Sequence, residues 1–118
     1  MRHAVLAALL ALSASPEPAH TAGGEVGAQE DSPAPHRQQE LIRLVRHDCG
    51  SCHGLTLTGG LGPPLDRNSL ASKPSAYLQA MILQGRPGTA MPGWSGIVNE
   101  DEARWITERL QEGFPNDR

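Results

Sequence analysis

Cys49-Gly50-Ser51-Cys52-His53 is the stretch on which the fold of this chain turns. Two cysteines three apart, followed at once by a histidine, form the C-x-x-C-H pattern of covalent c-type haem attachment. The spacing has a chemical reason. Thiols one turn apart each add across a haem vinyl group, and a histidine directly after the second is carried under the iron, where it donates an imidazole nitrogen. Gly50 and Ser51 are small, which lets the backbone lie against the porphyrin edge. Three other uses of the same residues compete. A thioredoxin-like redox pair needs a βαβ setting, and the chain shows no strand pattern. A zinc site recruiting His47 or His36 would crowd its ligands into one turn, where a tetrahedron rarely closes. A disulfide between Cys49 and Cys52 would close too small a loop to stabilise much.

Composition agrees with a cofactor-filled core. The 118 residues make a single domain, so a multi-domain enzyme is excluded. Hydrophobic residues are 38% and aromatic ones 3%, namely Trp94, Trp105, Tyr77 and Phe114, against 13 Gly and 10 Pro. That is a thin supply of packing material, and small domains in this position recruit disulfides, metals or cofactors. The formal charge of -3, without any basic run, excludes a dominant nucleic-acid surface.

Met1 to His3 opens with a basic start, Ala4 to Leu12 is nine apolar residues, and small residues follow at Ser13 to Ser15. This is the layout of a secretory signal, far short of the roughly 20 residues that span a bilayer. The expected organisation is a cleaved signal at 1–22, with cleavage between 14 and 22, a flexible leader at 23–35 and a folded domain at 36–118. From Ser15 to Pro35 the chain has one branched aliphatic residue, Val26, and cannot repay the entropy of folding. The domain itself carries 9 basic and 9 acidic side chains.

Three helices are predicted and no strand. Around 36–48, Leu41, Leu44 and Val45 share a face, with Arg37, Gln38, Arg43 and Arg46 opposite. In the second, Pro74 takes the first helical position, Tyr77, Leu78, Met81 and Ile82 form an apolar stripe, and Gly85 ends it. In the third, Asn99 and Glu102 stand at capping-box spacing, Ala103, Ile106 and Leu110 share a face, and Gly113 precedes Pro115. Between them run long Gly- and Pro-rich loops, Gly54 to Asp66 and Arg86 to Val98, of a length that usually signals function.

The sixth position of the iron has five candidates: Met91, Met81, Met1, His47 and His36. Met1 leaves with the signal, and Met81 lies on an apolar helical stripe, where methionine is ordinarily core filler. Met91 stands in a loop without helical pattern, and Pro92 biases it to extended backbone. His47 more naturally faces solvent or caps the first helix, and stays the alternative. A metal-bound histidine donates its other ring N–H to a fixed acceptor, a role open to the Pro63 carbonyl in Gly62-Pro63-Pro64-Leu65. Haem propionates need donors, for which Arg86 and Trp94 are placed beside Met91, with Arg67 and Tyr77 behind them. Trp105 is expected in the core, without a chemical role.

Cys49 to His53, Gly62-Pro63-Pro64-Leu65 and Met91-Pro92, in that order between two amphipathic helices, resemble a single-haem class I cytochrome c. The likeness covers residues 36 to 113. Within that class the run His47 to Leu57, Gly59-Gly60-Leu61-Gly62-Pro63, and Gly85-Arg86-Pro87-Gly88-Thr89-Ala90-Met91-Pro92 are similar to the cytochrome c55X type of denitrifying bacteria. The resemblance implies an all-α fold around one covalent haem c, with His53 as proximal and Met91 as distal iron ligand. It further implies a periplasmic electron carrier that exchanges electrons with cytochrome cd1 nitrite reductase, or with the proteins that finish its haem d1. A rival class is a ligand sensor or peroxidase-like enzyme, in which Gly88 and Gly93 act as hinges and the Met91 loop opens. The expected partner is thus a redox protein, not nucleic acid, with no membrane anchor after cleavage. The expected state is a monomer, an exchanged-helix dimer being the alternative.

Overall fold

The computed structural model describes residues 31–114. The expected signal, the leader up to residue 30 and the final residues 115–118 lie outside them. Among the described residues there is no strand: the elements are α1 (Pro35–Leu44), a π-helical turn (Val45–Cys49), α2 (Gly50–His53), α3 (Arg67–Leu70), α4 (Ser75–Gln84) and α5 (Glu100–Glu112). None of these helices is long and apolar enough to cross a membrane.

The first three elements form one continuous helical rod. Pro35 opens it, because a residue without an N–H costs nothing in a helix's first turn. The helix therefore begins one residue inside the expected leader, and the leader's end is tied down: the Gln38 amide donates to the Pro33 carbonyl at 2.8 Å. In the π-helical turn the Gly50 N–H reaches back five residues to the Val45 carbonyl, a widening found frequently at functional sites. Gly54, at φ +90°, ends the rod.

One short helix escapes the periodicity of the sequence. Asp66 caps α3, its carboxylate accepting from the Ser69 N–H and the Ser69 hydroxyl, both at 3.0 Å. One turn is too short for a hydrophobic repeat to register. In α4, Pro74 is the cap and Ser75 the first helical residue, a one-residue shift from expectation that follows from its extended ψ of 135°. No residue of α4 is fully buried, and Tyr77 is exposed. The helix packs along α5 and contributes Leu78, Ile82 and Leu83 to the margin of the core.

The core itself comprises Leu41, Val45, Leu57, Leu70, Val98, Ala103, Trp105, Ile106 and Leu110. Trp105 is buried there, with the Arg109 guanidinium 5.8 Å from its ring centroid. The first and last helices are joined by charge as well as by packing. Arg37, placed by the sequence pattern on the outer face, turns back: its Nε donates to Glu102 Oε1 at 2.5 Å and its Nη2 to the Ile97 carbonyl at 2.9 Å. Glu102 also closes the predicted capping box, accepting from the Asn99 N–H at 3.0 Å while Asn99 Oδ1 accepts from the Glu102 N–H at 2.9 Å.

The side-chain hydrogen bond from Arg37 holds the Glu102 carboxyl below its ordinary value of 4.5. A depressed carboxyl contributes its stability above the ordinary value and loses it as pH falls through the lower folded one. Glu102→Gln should cost about 1.5–3 kcal/mol at neutral pH, the usual worth of hydrogen bonds to a charged group. Denaturant unfolding at neutral and acidic pH checks it: the gap between parent and variant should narrow on acidification, and a gap that stays constant would contradict the assignment.

Candidate haem-binding site

The π-helical turn and α2 deliver the attachment sequence at the end of the first helical rod. Cys49 is half-buried against the core and Cys52 is exposed. Burial, helped by Asp48 beside it, pushes the Cys49 thiol up to about 11. Ser51 lies at the surface, its hydroxyl donating to the Asp48 carbonyl at 2.7 Å. Within the chain Gly50 is under no steric demand: a Cβ there would stand 3.5 Å from the Leu55 Cα and 3.6 Å from the Val45 carbonyl oxygen, ordinary packing distances.

His53 is buried, and its Nδ1 lies 2.6 Å from the Pro63 carbonyl oxygen. A carbonyl only accepts, so Nδ1 carries a proton, and the tautomer this selects in a neutral imidazole is the one with its lone pair at Nε2. The loop that brings Pro63 there is bonded to the end of the rod. Gly59 N–H donates to the His53 carbonyl at 2.9 Å, Gly62 N–H to the Cys52 carbonyl at 2.7 Å, and Leu65 N–H to the Leu57 carbonyl at 2.8 Å. Gly62 packs directly on the imidazole. A Cβ at this position would meet Nδ1 at 2.8 Å and Cε1 at 2.9 Å, so only glycine lets the loop come this close. Neither this contact nor the one between Gly60 and the Cys52 carbonyl, 2.7 Å from a would-be Cβ, carries a signal in the hydrophobic pattern. The density of glycine from Gly54 to Gly62 was the available clue.

A second cluster gathers at the end of α4. Met91 is half-buried, its carbonyl accepting from the Arg86 N–H at 3.2 Å. Trp94 is half-buried against the core, its N–H donating to the Ile82 carbonyl at 2.9 Å. The Arg86 side chain is exposed and forms no ion pair with a described residue. Among the other ligand candidates, His47 and His36 are exposed and Met81 is half-buried on α4, while Met1 lies outside the described residues. Among the described residues no hydrogen bond joins the His53–Pro63 cluster to the Arg86–Met91–Trp94 cluster. Gly93 packs against the last turn of α4, where a would-be Cβ would stand 2.8 Å from the Leu83 carbonyl oxygen. Gly88, with open space around it, is unconstrained by packing.

The donor set fits a haem iron. A buried imidazole bound through Nδ1 to a carbonyl and a thioether in a bonded loop are an established pair of iron donors, and the glycine cradle around His53 fixes its ring.

Comparisons with known proteins give the family and the fold. The family described as cytochrome c oxidase, cbb3-type, subunit III matches residues 36–108. Cytochrome c55X of Stutzerimonas stutzeri is 52% identical over 84 residues, covering 71% of this chain and 74% of that protein. The solved structure of c-type cytochrome NirC is similar with a TM-score of 0.67 at 51% identity, covering 68% of this chain and 94% of that one. Dihydro-heme d1 dehydrogenase NirN in complex with DHE gives a TM-score of 0.57 at 34% identity, over 64% of this chain and 16% of that much longer one. The chain belongs to the cytochrome c55X family: it is an all-α c-type cytochrome that uses haem c and its iron to transfer electrons in the denitrification system, an electron carrier and not an enzyme.

Proposed function

We propose that this protein is a periplasmic carrier holding one haem c through thioethers at Cys49 and Cys52, with His53 and Met91 as axial ligands, and that it exchanges electrons with cytochrome cd1 nitrite reductase. The observation that carries the ligand assignment is the 2.6 Å contact of His53 Nδ1 with the Pro63 carbonyl, directly beyond the two cysteines. It leaves Nε2 as the free donor and makes it more basic. When bound, the haem supplies a one-electron ferric/ferrous couple. Cys49 and Cys52 tether it, His53 holds one axial position, and the Met91 thioether fills the other, excludes small ligands and favours the ferrous state relative to a second histidine. Arg86 and Trp94, on either side of Met91, supply the propionate donors. Residues 1–22 act as the export signal, 23–35 as the leader and 36–118 as the haem domain.

A second reading of the partner has support of its own. The likeness to a short part of dihydro-heme d1 dehydrogenase favours electron exchange during haem d1 maturation. Rapid mixing separates the two. The reduced protein is mixed with oxidised cytochrome cd1 nitrite reductase and its oxidation is followed. In parallel the oxidised protein is mixed with a dihydro-haem d1 dehydrogenase and dihydro-haem d1, and its reduction is followed, because a dehydrogenase must pass its substrate's electrons to an acceptor. Fast oxidation by the reductase is the expected result. Reduction in the dehydrogenase mixture alone would move the function to maturation, and reaction in neither would overturn both partners.

A further inference from the structure

The Met91 loop is closed at its base by two glycines that cross. Gly85 ends α4 at φ +72°, and a Cβ there would meet the Gly93 N, the Met91 carbonyl oxygen and the Pro92 carbonyl carbon, each at 2.7 Å. Gly93 returns the contact from the other side, where a Cβ would meet the Leu83 carbonyl oxygen at 2.8 Å and the Gln84 carbonyl carbon at 2.9 Å. All of these are backbone atoms, which cannot swing aside as a side chain does. The returning chain lies on the last turn of α4 and uses carbonyls that a helix end leaves without partners. Trp94 N–H donates to the Ile82 carbonyl at 2.9 Å and Ser95 N–H to the Leu83 carbonyl at 3.2 Å.

Above the crossing, both main-chain polar groups of Met91 are engaged. Its carbonyl accepts from the Arg86 N–H at 3.2 Å, and its N–H donates to the Thr89 hydroxyl at 3.3 Å, while that hydroxyl donates to the Arg86 carbonyl at 2.7 Å. We propose that Gly85 and Gly93 are the positioning residues of Met91: their close crossing fixes the base of the loop and so sets where the thioether is presented. The proposal rests on Met91 as an iron ligand, and its test is built to separate the two.

Two substitutions distinguish contact from conformation. Gly93 does not have a positive φ, so Gly93→Ala adds a collision without a forbidden backbone. Gly88 has φ +77° and nothing within 4 Å of a would-be Cβ, so Gly88→Ala adds backbone strain without a collision. Both haem-loaded variants are compared with the parent by helical circular dichroism, by the red charge-transfer band of methionine sulfur on ferric iron, and by carbon monoxide binding to the ferrous form. Overpacking strain of ordinary size shifts a loop-opening equilibrium by about tenfold or more, so Gly93→Ala should weaken the red band and speed carbon monoxide binding by about that factor. Gly88→Ala should keep both properties. A folded Gly93→Ala protein with the parent's band and binding rate would overturn the proposal.

Should Gly93→Ala fail to fold, amide exchange on the unaltered holoprotein decides. The Trp94 and Ser95 amides should exchange at least about tenfold more slowly than those of Gly88 and Ala90, and equal rates would overturn the crossing. A parent lacking the red band would instead remove Met91 as ligand, with amide exchange still reporting on the crossing by itself.

Discussion

Met91→Ala should retain the attached haem, lose the red charge-transfer band and bind carbon monoxide far faster than the parent. In the parent an incoming ligand must wait for the thioether to leave, and a minor open state of a packed loop is populated at roughly 0.1–10%. Removing the side chain makes the open state the only one. The expected acceleration is therefore about 10- to 1,000-fold. The reduction potential should fall as well, because the thioether favours ferrous iron. Folding should survive, since Met91 is half-buried and outside the buried core. Stopped-flow mixing of the reduced variant with carbon monoxide reads the effect. A rate equal to the parent's would take Met91 off the iron and return His47 to consideration.

Gly62→Ala should destabilise the protein and raise its reduction potential, because the added methyl group would collide with the His53 ring itself. The added Cβ would sit 2.8 Å from His53 Nδ1 and 2.9 Å from Cε1, so the ring must turn or the loop must withdraw. Either movement breaks the 2.6 Å hydrogen bond to Pro63. Overpacking costs about 1–3 kcal/mol and the lost bond about 1 more. Loss of the acceptor also makes the imidazole less basic, which weakens its support for ferric iron and raises the potential. Gly50→Ala is the internal control, because its Cβ would find only ordinary contacts at 3.5 and 3.6 Å. Denaturant unfolding and a redox titration of the two variants give the comparison. A Gly62→Ala protein as stable as Gly50→Ala, with the parent's potential, would remove the role assigned to this glycine.

These two residues mark where sequence is legible and where it is not. Cys49, Cys52 and His53 are readable because fixed chemistry demands fixed spacing, and α5 is readable because its cap, its buried face and Gly113 all agree. The long helices announce themselves by periodicity, which is a property of one segment. What escaped belongs to pairs of segments. Arg37 falls on the polar face of α1 by its spacing, yet finds Glu102 some 65 residues away. Gly62, Gly85 and Gly93 look like turn residues, and their purpose emerges only from the backbone each one touches. The π-helical turn at Val45–Cys49 and the single turn of α3 were missed for a simpler reason, being too short to register a repeat.

The central claim is a haem tethered at Cys49 and Cys52 with its iron held by His53 and Met91. The visible absorption spectrum of the protein exported to the periplasm, taken oxidised and reduced, tests it most directly. Sharp c-type bands on reduction that persist after acid extraction, together with the red band in the ferric form, are the predicted result. A c-type spectrum without the red band would contradict Met91 ligation, and a spectrum without haem would contradict the account as a whole.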